Sequence, residues 1–294
     1  MTISYSEKLV EMGKQAQAAA RQLALLSGTQ KNRCLSSMAD ALGDGEEAIR
    51  HANAIDMEAG RKKGLTKAML DRLQLTPSRI ADMGKGIQTL VGLADPVGRI
   101  DSTWLRPNGL EIKKVRVPIG VIAIIYESRP NVTVDAATLC LKAGNAVLLR
   151  GGSESFESNR ALVEALMEGG RSGGLPEDAV QFVPWTDRAA VDSLLRLDEY
   201  VDLVIPRGGK GLIRKVVETA TMPVIKHYEG VCHVYVDKDA DLDMAVSIVE
   251  NGKCQRPGVC NAVETVLVHA DIAPAFLPRM EESLRRHGVQ LRAD

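Results

Sequence analysis

After Pro118 the chain alternates four short apolar runs, GVIAIIY (120–126), NAVLLR (145–150), AVQFV (179–183) and VDLVI (201–205), with helix-patterned stretches near 132–142, 155–168, 189–195 and 210–220. Runs this apolar read as strands covered on both faces, and parallel strands require a crossover helix between them. The pattern therefore predicts an α/β fold built on a doubly wound parallel sheet. In such a sheet, strand carboxyl ends and helix amino ends converge on one edge, where anionic nucleotide ligands are held.

The flanking regions follow other periods. Up to about residue 94, Leu9, Met12, Ala16, Ala19, Ala20 and Leu23 recur at helical spacing, and further helices are expected at 33–42, 46–58 and 77–93. Beyond Gly98, residues 101–106 and 110–117 flank Pro107-Asn108-Gly109 and read as a β-hairpin. A second α/β unit starts near Pro223, with strands VCHVYVD (231–237) and ETVLVH (264–269) and a helix over 274–287. The last residues, GVQLRAD, read as a strand with no capping element behind it. A unit starting near 223 is small for an independent core, so the sequence reads as C-terminally truncated.

Composition removes several classes of function. Lys and Arg number 37 against 38 Asp and Glu, which gives no field suited to nucleic acid or an anionic membrane. Aromatic residues at 3 % disfavour carbohydrate clefts and base-stacking surfaces, leaving a small molecule as the expected partner. Cys34, Cys140, Cys232, Cys254 and Cys260 are odd in number and form no CxxC pair, so neither a disulfide framework nor a metal site is expected. The amino terminus has no apolar run behind a basic start, and the expectation is a cytoplasmic protein with reduced thiols.

Three segments carry chemistry. In QRPGVCNA (255–262) a cysteine follows a Pro-Gly turn, where backbone N–H groups can stabilise a thiolate for attack on a carbonyl. Alone, Cys260 reads more readily as a small buried hydrophobe. In NAVLLRGGSESFESN (145–159) a strand ends in Arg150, two glycines turn the backbone, and Ser153 and Ser155 stand where a helix begins. In VDLVIPRGGKGLIRK (201–215) a second strand, glycine turn and helix carry Arg207, Gly208, Gly209 and Lys210, a setting in which a phosphate can approach the backbone. Either turn alone is an ordinary connection. Neither a GxxxxGK[ST] nor a GxGxxG spacing is present.

Taken in order, PIGVIAIIYESRPNVTVDAATLCLKAGNAVLLRGG (118–152), IPRGGKGL, HYEGVCHVYVD and CQRPGVCNAVETVLVH resemble the γ-glutamyl phosphate reductase family of the aldehyde dehydrogenase superfamily, and the resemblance runs through essentially the whole chain. It implies a nucleotide-binding domain from residues 1–98 and 118–222, an oligomerisation hairpin at 99–117 and an incomplete catalytic domain at 223–294. It also implies that Cys260 is the nucleophile. The thiolate would displace phosphate from L-glutamyl 5-phosphate, and the thioester would be reduced with NADPH to L-glutamate 5-semialdehyde, a step of proline biosynthesis. A homo-oligomer is implied for the full-length enzyme, and little activity for the shortened chain alone.

By the same resemblance, Arg150 stands where the superfamily has a Lys against the adenosine ribose, and Ser153 where NAD-preferring members carry a Glu. A cation without that carboxylate favours NADP. Gly208, Gly209 and Lys210 match the turn beside the pyrophosphate. The superfamily's Pro-Trp-Asn is replaced by Tyr126-Glu127-Ser128-Arg129-Pro130-Asn131. Asn131 is then the nearest side-chain oxyanion donor, with backbone N–H groups near Cys260 as the alternative. Arg129 and Arg256 are candidates for the substrate's carboxylate or phosphate, with a structural salt bridge an equal alternative for each. Glu229 falls near the general base of hydrolytic relatives and reads equally as a surface acid. His227 and His233 read as half-buried strand positions, and Cys254 as structural. Two competing readings are a hydrolytic aldehyde dehydrogenase using Cys260 and Glu229, and a non-catalytic fragment that keeps the nucleotide fold.

Overall fold

The computed structural model describes residues 5–127, 129–227 and 230–293, and falls into two units, Met1–Lys226 and His227–Asp294. In the first, five helices precede any strand: α1 (Tyr5–Leu23), α2 (Gly28–Asp44), α3 (Glu46–Lys62), α4 (Lys67–Leu73) and α5 (Pro77–Gly92). The helical spacing read in α1 is its buried stripe, Leu9, Ala16, Ala19, Ala20 and Leu23. Helix α2 starts five residues earlier than its apolar pattern because Ser27 and Gln30 form a reciprocal capping box. Helix α4 has no counterpart in the sequence reading, since seven residues give little periodicity. Thr66 caps it by accepting from the Met69 N–H.

Strands β1 (Ile100–Leu105) and β2 (Glu111–Val115) form the expected antiparallel hairpin, with Trp104 opposite Ile112 and Leu105 opposite Glu111. Gly109 sits at φ +83° in its loop, a conformation glycine adopts without strain.

The rest of the unit is β3 (Val121–Tyr126), α6 (Asn131–Lys142), β4 (Ala146–Arg150), a 3₁₀ turn at Ser153–Ser155, α7 (Phe156–Gly173), β5 (Val180–Phe182), α8 (Arg188–Leu194), β6 (Leu203–Arg207) and α9 (Lys210–Thr219). The four strands are parallel in the order β5-β4-β3-β6. Strand β3 is buried along its whole length, as a fully apolar run demands. Helix α6 packs against α7, and α8 packs against α1, which itself lies against β3, β4 and β5. The strand order reverses between β3 and β6, so the sheet has its topological switch point there. Pro223 and Ile225 bond the backbone of Val204 beside β6.

The second unit is a βαβ element: β7 (Cys232–Val236), α10 (Leu242–Cys254) and the parallel β8 (Val263–Val268), followed by α11 (Ala273–Arg286). Val236, Ala245, Val249, Phe276, Met280 and Leu284 form its core. The strand expected in GVQLRAD is not formed over residues 289–293. Val289, one of its apolar residues, instead closes the end of α11: its N–H bonds the Leu284 carbonyl across Gly288 at φ +70°, and its side chain packs on that core. Among the described residues no helix is long and apolar enough to cross a membrane.

Candidate active site

Strands β3, β4 and β6 end level, with Ile125 opposite Arg150 and Tyr126 opposite Arg207. The carboxyl edge of the sheet therefore gathers Arg129, Asn131, Arg150, Ser153, Gly208, Gly209 and Lys210. At the switch point Glu127 bridges β3 to the turn after β6. Its N–H donates to the Arg207 carbonyl at 3.1 Å, and its Oε2 accepts from the Gly209 N–H at 2.8 Å. Gly209 is the N-cap of α9 with no side-chain cap of its own, and Glu127 accepts from its N–H, one of the helix-end donors that lack an intrahelical partner. A Cβ on residue 208 would lie 2.5 Å from that carboxylate, which explains the first glycine of the pair. A helix amino end that seats a carboxylate oxygen in this way also suits a phosphate oxygen.

Arg150 ends β4 and donates through Nη2 to the Thr186 carbonyl at 2.6 Å, while its Nε is buried without a hydrogen-bond partner among the described residues. Burial draws the guanidinium's pKa down, against the fields of Glu154, Asp187 and Glu127. Ser153 is exposed, with Oγ 3.5 Å from Glu154 Oε2. The Glu154 carboxylate folds back over Gly152, where an added Cβ would meet it at 2.6 Å. A carboxylate thus stands beside Arg150 although position 153 lacks one, a feature the sequence reading missed.

Beneath these turns runs a buried polar chain. Tyr126 Oη meets Thr133 Oγ1 at 2.7 Å, Thr133 Oγ1 donates to Asn159 Oδ1 at 3.0 Å, and Asn159 Nδ2 donates to Ser155 Oγ at 3.0 Å. Burial holds the Tyr126 phenol well above its ordinary value, so it stays protonated. From α3, Asp56 accepts from the Ser158 N–H and hydroxyl at 2.7 and 2.6 Å and from the Glu157 N–H at 3.2 Å, capping α7. Burial raises the Asp56 pKa despite those bonds. These residues fix the turn after β4, and only their polarity within an apolar fold could have signalled them. Asn131 opens α6 exposed, and its amide donates to Asp135 Oδ2 at 3.2 Å. Arg129 is half-buried, its carbonyl accepting from the Val132 N–H.

In the second unit, Cys260 lies in a turned segment between α10 and β8. The Val259 N–H bonds the Arg256 carbonyl and the Ala262 N–H bonds the Val259 carbonyl, both at 3.3 Å. No helix starts at Cys260, since β8 follows directly. Of the five cysteines it is the exposed one. Cys34 and Cys140 are buried, and burial pushes the Cys140 thiol up to about 12. Cys254, half-buried at the end of α10, is raised by desolvation and by Glu250. Arg256 is exposed in the same segment as Cys260. His233 is exposed, with Nδ1 2.7 Å from the Val231 carbonyl; Glu229 lies outside the described residues. The unit therefore offers an accessible thiol on a helix-to-strand turn, a placement open to covalent chemistry.

A family model described as the aldehyde dehydrogenase family matches residues 3–292. The γ-glutamyl phosphate reductase of Moorella thermoacetica is 58 % identical over 280 residues, covering 95 % of this chain and 67 % of its own length. That of Heliobacterium modesticaldum is 54 % identical over 290 residues, covering 99 % and 69 %. The crystal structure of γ-glutamyl phosphate reductase from Thermotoga maritima superposes with a TM-score of 0.88 at 47 % identity, over 96 % of this chain and 68 % of that one. A probable aldehyde dehydrogenase from Listeria monocytogenes, at 16 % identity and a TM-score of 0.68 over 99 % of this chain and 60 % of that one, shares the fold. The α/β architecture expected from the sequence is the architecture of these proteins.

Proposed function

This chain belongs to the aldehyde dehydrogenase family and, within it, to the γ-glutamyl phosphate reductases, and from that premise we propose that it reduces L-glutamyl 5-phosphate to L-glutamate 5-semialdehyde with NADPH, releasing phosphate, as a cytoplasmic enzyme of proline biosynthesis. The observation that carries the reading is the exposed thiol of Cys260 in the turn QRPGVCNA.

The Cys260 thiolate attacks the acyl carbon, and the bond from that carbon to the phosphate oxygen breaks with its electron pair leaving on phosphate. A thioester remains on Cys260. NADPH, when bound, would supply a hydride to the thioester carbon. Release of the aldehyde would re-form its C=O bond as the carbon–sulfur bond breaks, with Cys260 leaving as the thiolate. Backbone N–H groups of the Cys260 turn and the Asn131 amide are the donors for the developing oxyanion. Arg129 and Arg256 hold the substrate's carboxylate and phosphate.

The residues at the switch point suit the cofactor, since the Gly208–Gly209 turn already seats a carboxylate oxygen on its N–H. Gly208, Gly209 and Lys210 would hold the pyrophosphate. Arg150 and Ser153 would lie toward the adenosine ribose, where the Arg150 charge would favour the 2′-phosphate of NADP. The hairpin joins copies of the full-length enzyme: Trp104, Leu105, Ile112 and Val115 all lie exposed on its two strands.

The test is NADP⁺ reduction by L-glutamate 5-semialdehyde with and without inorganic phosphate. Turnover that requires phosphate and disappears in Cys260→Ala supports the reading. Turnover without phosphate that yields glutamate would replace it with hydrolytic aldehyde oxidation.

A further inference from the structure

The second thiol of the Cys260 neighbourhood has no place in the reaction above. Cys232 opens β7, and its Sγ–H donates to the Cys260 carbonyl at 3.5 Å. The contact is built by the sheet: Cys232 pairs with Val263, three residues after Cys260, at the first register position of the parallel strands. Gly230 completes it. A Cβ there would stand 2.8 Å from the Cys260 carbonyl oxygen and 3.9 Å from Cys232 Sγ, so the Gly230 backbone passes close to both cysteines. One thiol is exposed and the other half-buried.

From this juxtaposition we infer that Cys232 and Cys260 form a reversible disulfide that protects the reactive cysteine from peroxide. The inference rests on the reading of Cys260 as a reactive thiol. The Cys260 thiolate attacks one oxygen of hydrogen peroxide, the O–O bond breaks, and hydroxide leaves, giving a sulfenic acid; sulfur is oxidised and peroxide reduced. The Cys232 thiolate then attacks the Cys260 sulfur. The S–S bond forms and the S–OH bond breaks; the proton that Cys232 gave up on becoming the thiolate is returned to the departing hydroxide, which leaves as water. A dithiol reductant restores both thiols by two exchange steps and leaves as its own disulfide. The cross-linked enzyme is inactive, because the nucleophile is blocked. Without Cys232 the sulfenic acid is exposed to a second peroxide, and oxidation to the sulfinic acid is not reversed by thiols.

The experiment treats the protein at low concentration with hydrogen peroxide and maps its peptides by mass spectrometry before and after dithiothreitol. The wild-type chain should yield a Cys232–Cys260 linked peptide that dithiothreitol dissolves into two free thiols. Cys232→Ser should yield Cys260 sulfinic acid that persists, several-fold above the wild-type level. Sulfinic acid on wild-type Cys260 without the link, or a Cys254–Cys260 link in its place, overturns the pair and leaves Cys260 as the reactive thiol. An unoxidised Cys260 overturns both. The wild-type map decides the question whether or not the variant folds.

Discussion

The carboxylate of Glu127, at the end of β3, accepts a hydrogen bond from the Gly209 N–H at 2.8 Å, across the switch point of the sheet. It stands where the proposed cofactor's phosphate would bind, and it is also the acceptor at the amino end of α9. Glu127→Ala should therefore lower stability by about 1 kcal/mol, the usual worth of a helix cap, while tightening NADPH binding because the seat is vacated. Thermal unfolding and calorimetric titration read the two signs separately. Weaker binding together with lower stability would mean that Glu127 shapes the turn rather than standing in for the ligand.

Arg150 and Glu154 set a second opposition at the same edge. Arg150→Ala should weaken NADPH binding by about tenfold or more, the worth of a charge-assisted hydrogen bond to phosphate, and barely change NADH binding. Glu154→Gln should shift preference further toward NADPH, since it removes the carboxylate that partly neutralises Arg150. Equal loss of both nucleotides in Arg150→Ala would show an arginine that only holds the turn through Thr186.

Under limited alkylation of the native chain, Cys260 should label before the other four cysteines. Exposure favours it, and burial raises the thiols of Cys34, Cys140 and Cys254. Peptide mapping against time gives the order directly. Uniform labelling would remove the chemical case for Cys260.

The first unit carries a nearly buried ion pair. Lys31, with a side chain 2 % exposed, meets Asp95 at 2.7 Å, and Asp95 is 24 % exposed. Burial raises the Asp95 pKa, but the Lys31 hydrogen bond, the Val97 N–H and the lysine charges more than reverse it, so the net shift is downward. A lowered carboxylate stabilises the fold above its unfolded pKa and loses that contribution as pH falls through its folded value. Asp95→Ala should cost about 2–3 kcal/mol at pH 7, less than a fully buried pair because Asp95 is partly solvated. That cost should shrink below about pH 4, as wild-type Asp95 takes up its proton. Urea unfolding of both chains at neutral and acid pH measures it. An unchanged difference across that range would remove Asp95 ionisation as the source.

What the sequence made legible was what local pattern encodes. The apolar runs of β3, β4 and β6 gave the sheet and its carboxyl edge, and Pro107-Asn108-Gly109 gave the hairpin. Asp56 capping α7 from 102 residues away, and Glu127 capping α9 from 82 away, leave no local trace, because each depends on tertiary proximity alone. The terminal apolar residues misled for a related reason: Val289 fits a strand pattern, yet its place is set by the closure of α11. Cys260 was singled out by its neighbours in the sequence, whereas the contact of Cys232 with its carbonyl depends on the pairing of β7 with β8.

The central claim is that Cys260 carries the acyl group. The chain should be incubated with L-glutamate 5-semialdehyde and NADP⁺ in phosphate-free buffer, quenched in acid and mapped by mass spectrometry. A γ-glutamyl thioester is expected on the peptide containing Cys260, absent from Cys260→Ala and discharged when inorganic phosphate is added before the quench. An acyl group on any other residue, or a Cys260 adduct that phosphate cannot discharge, would contradict it.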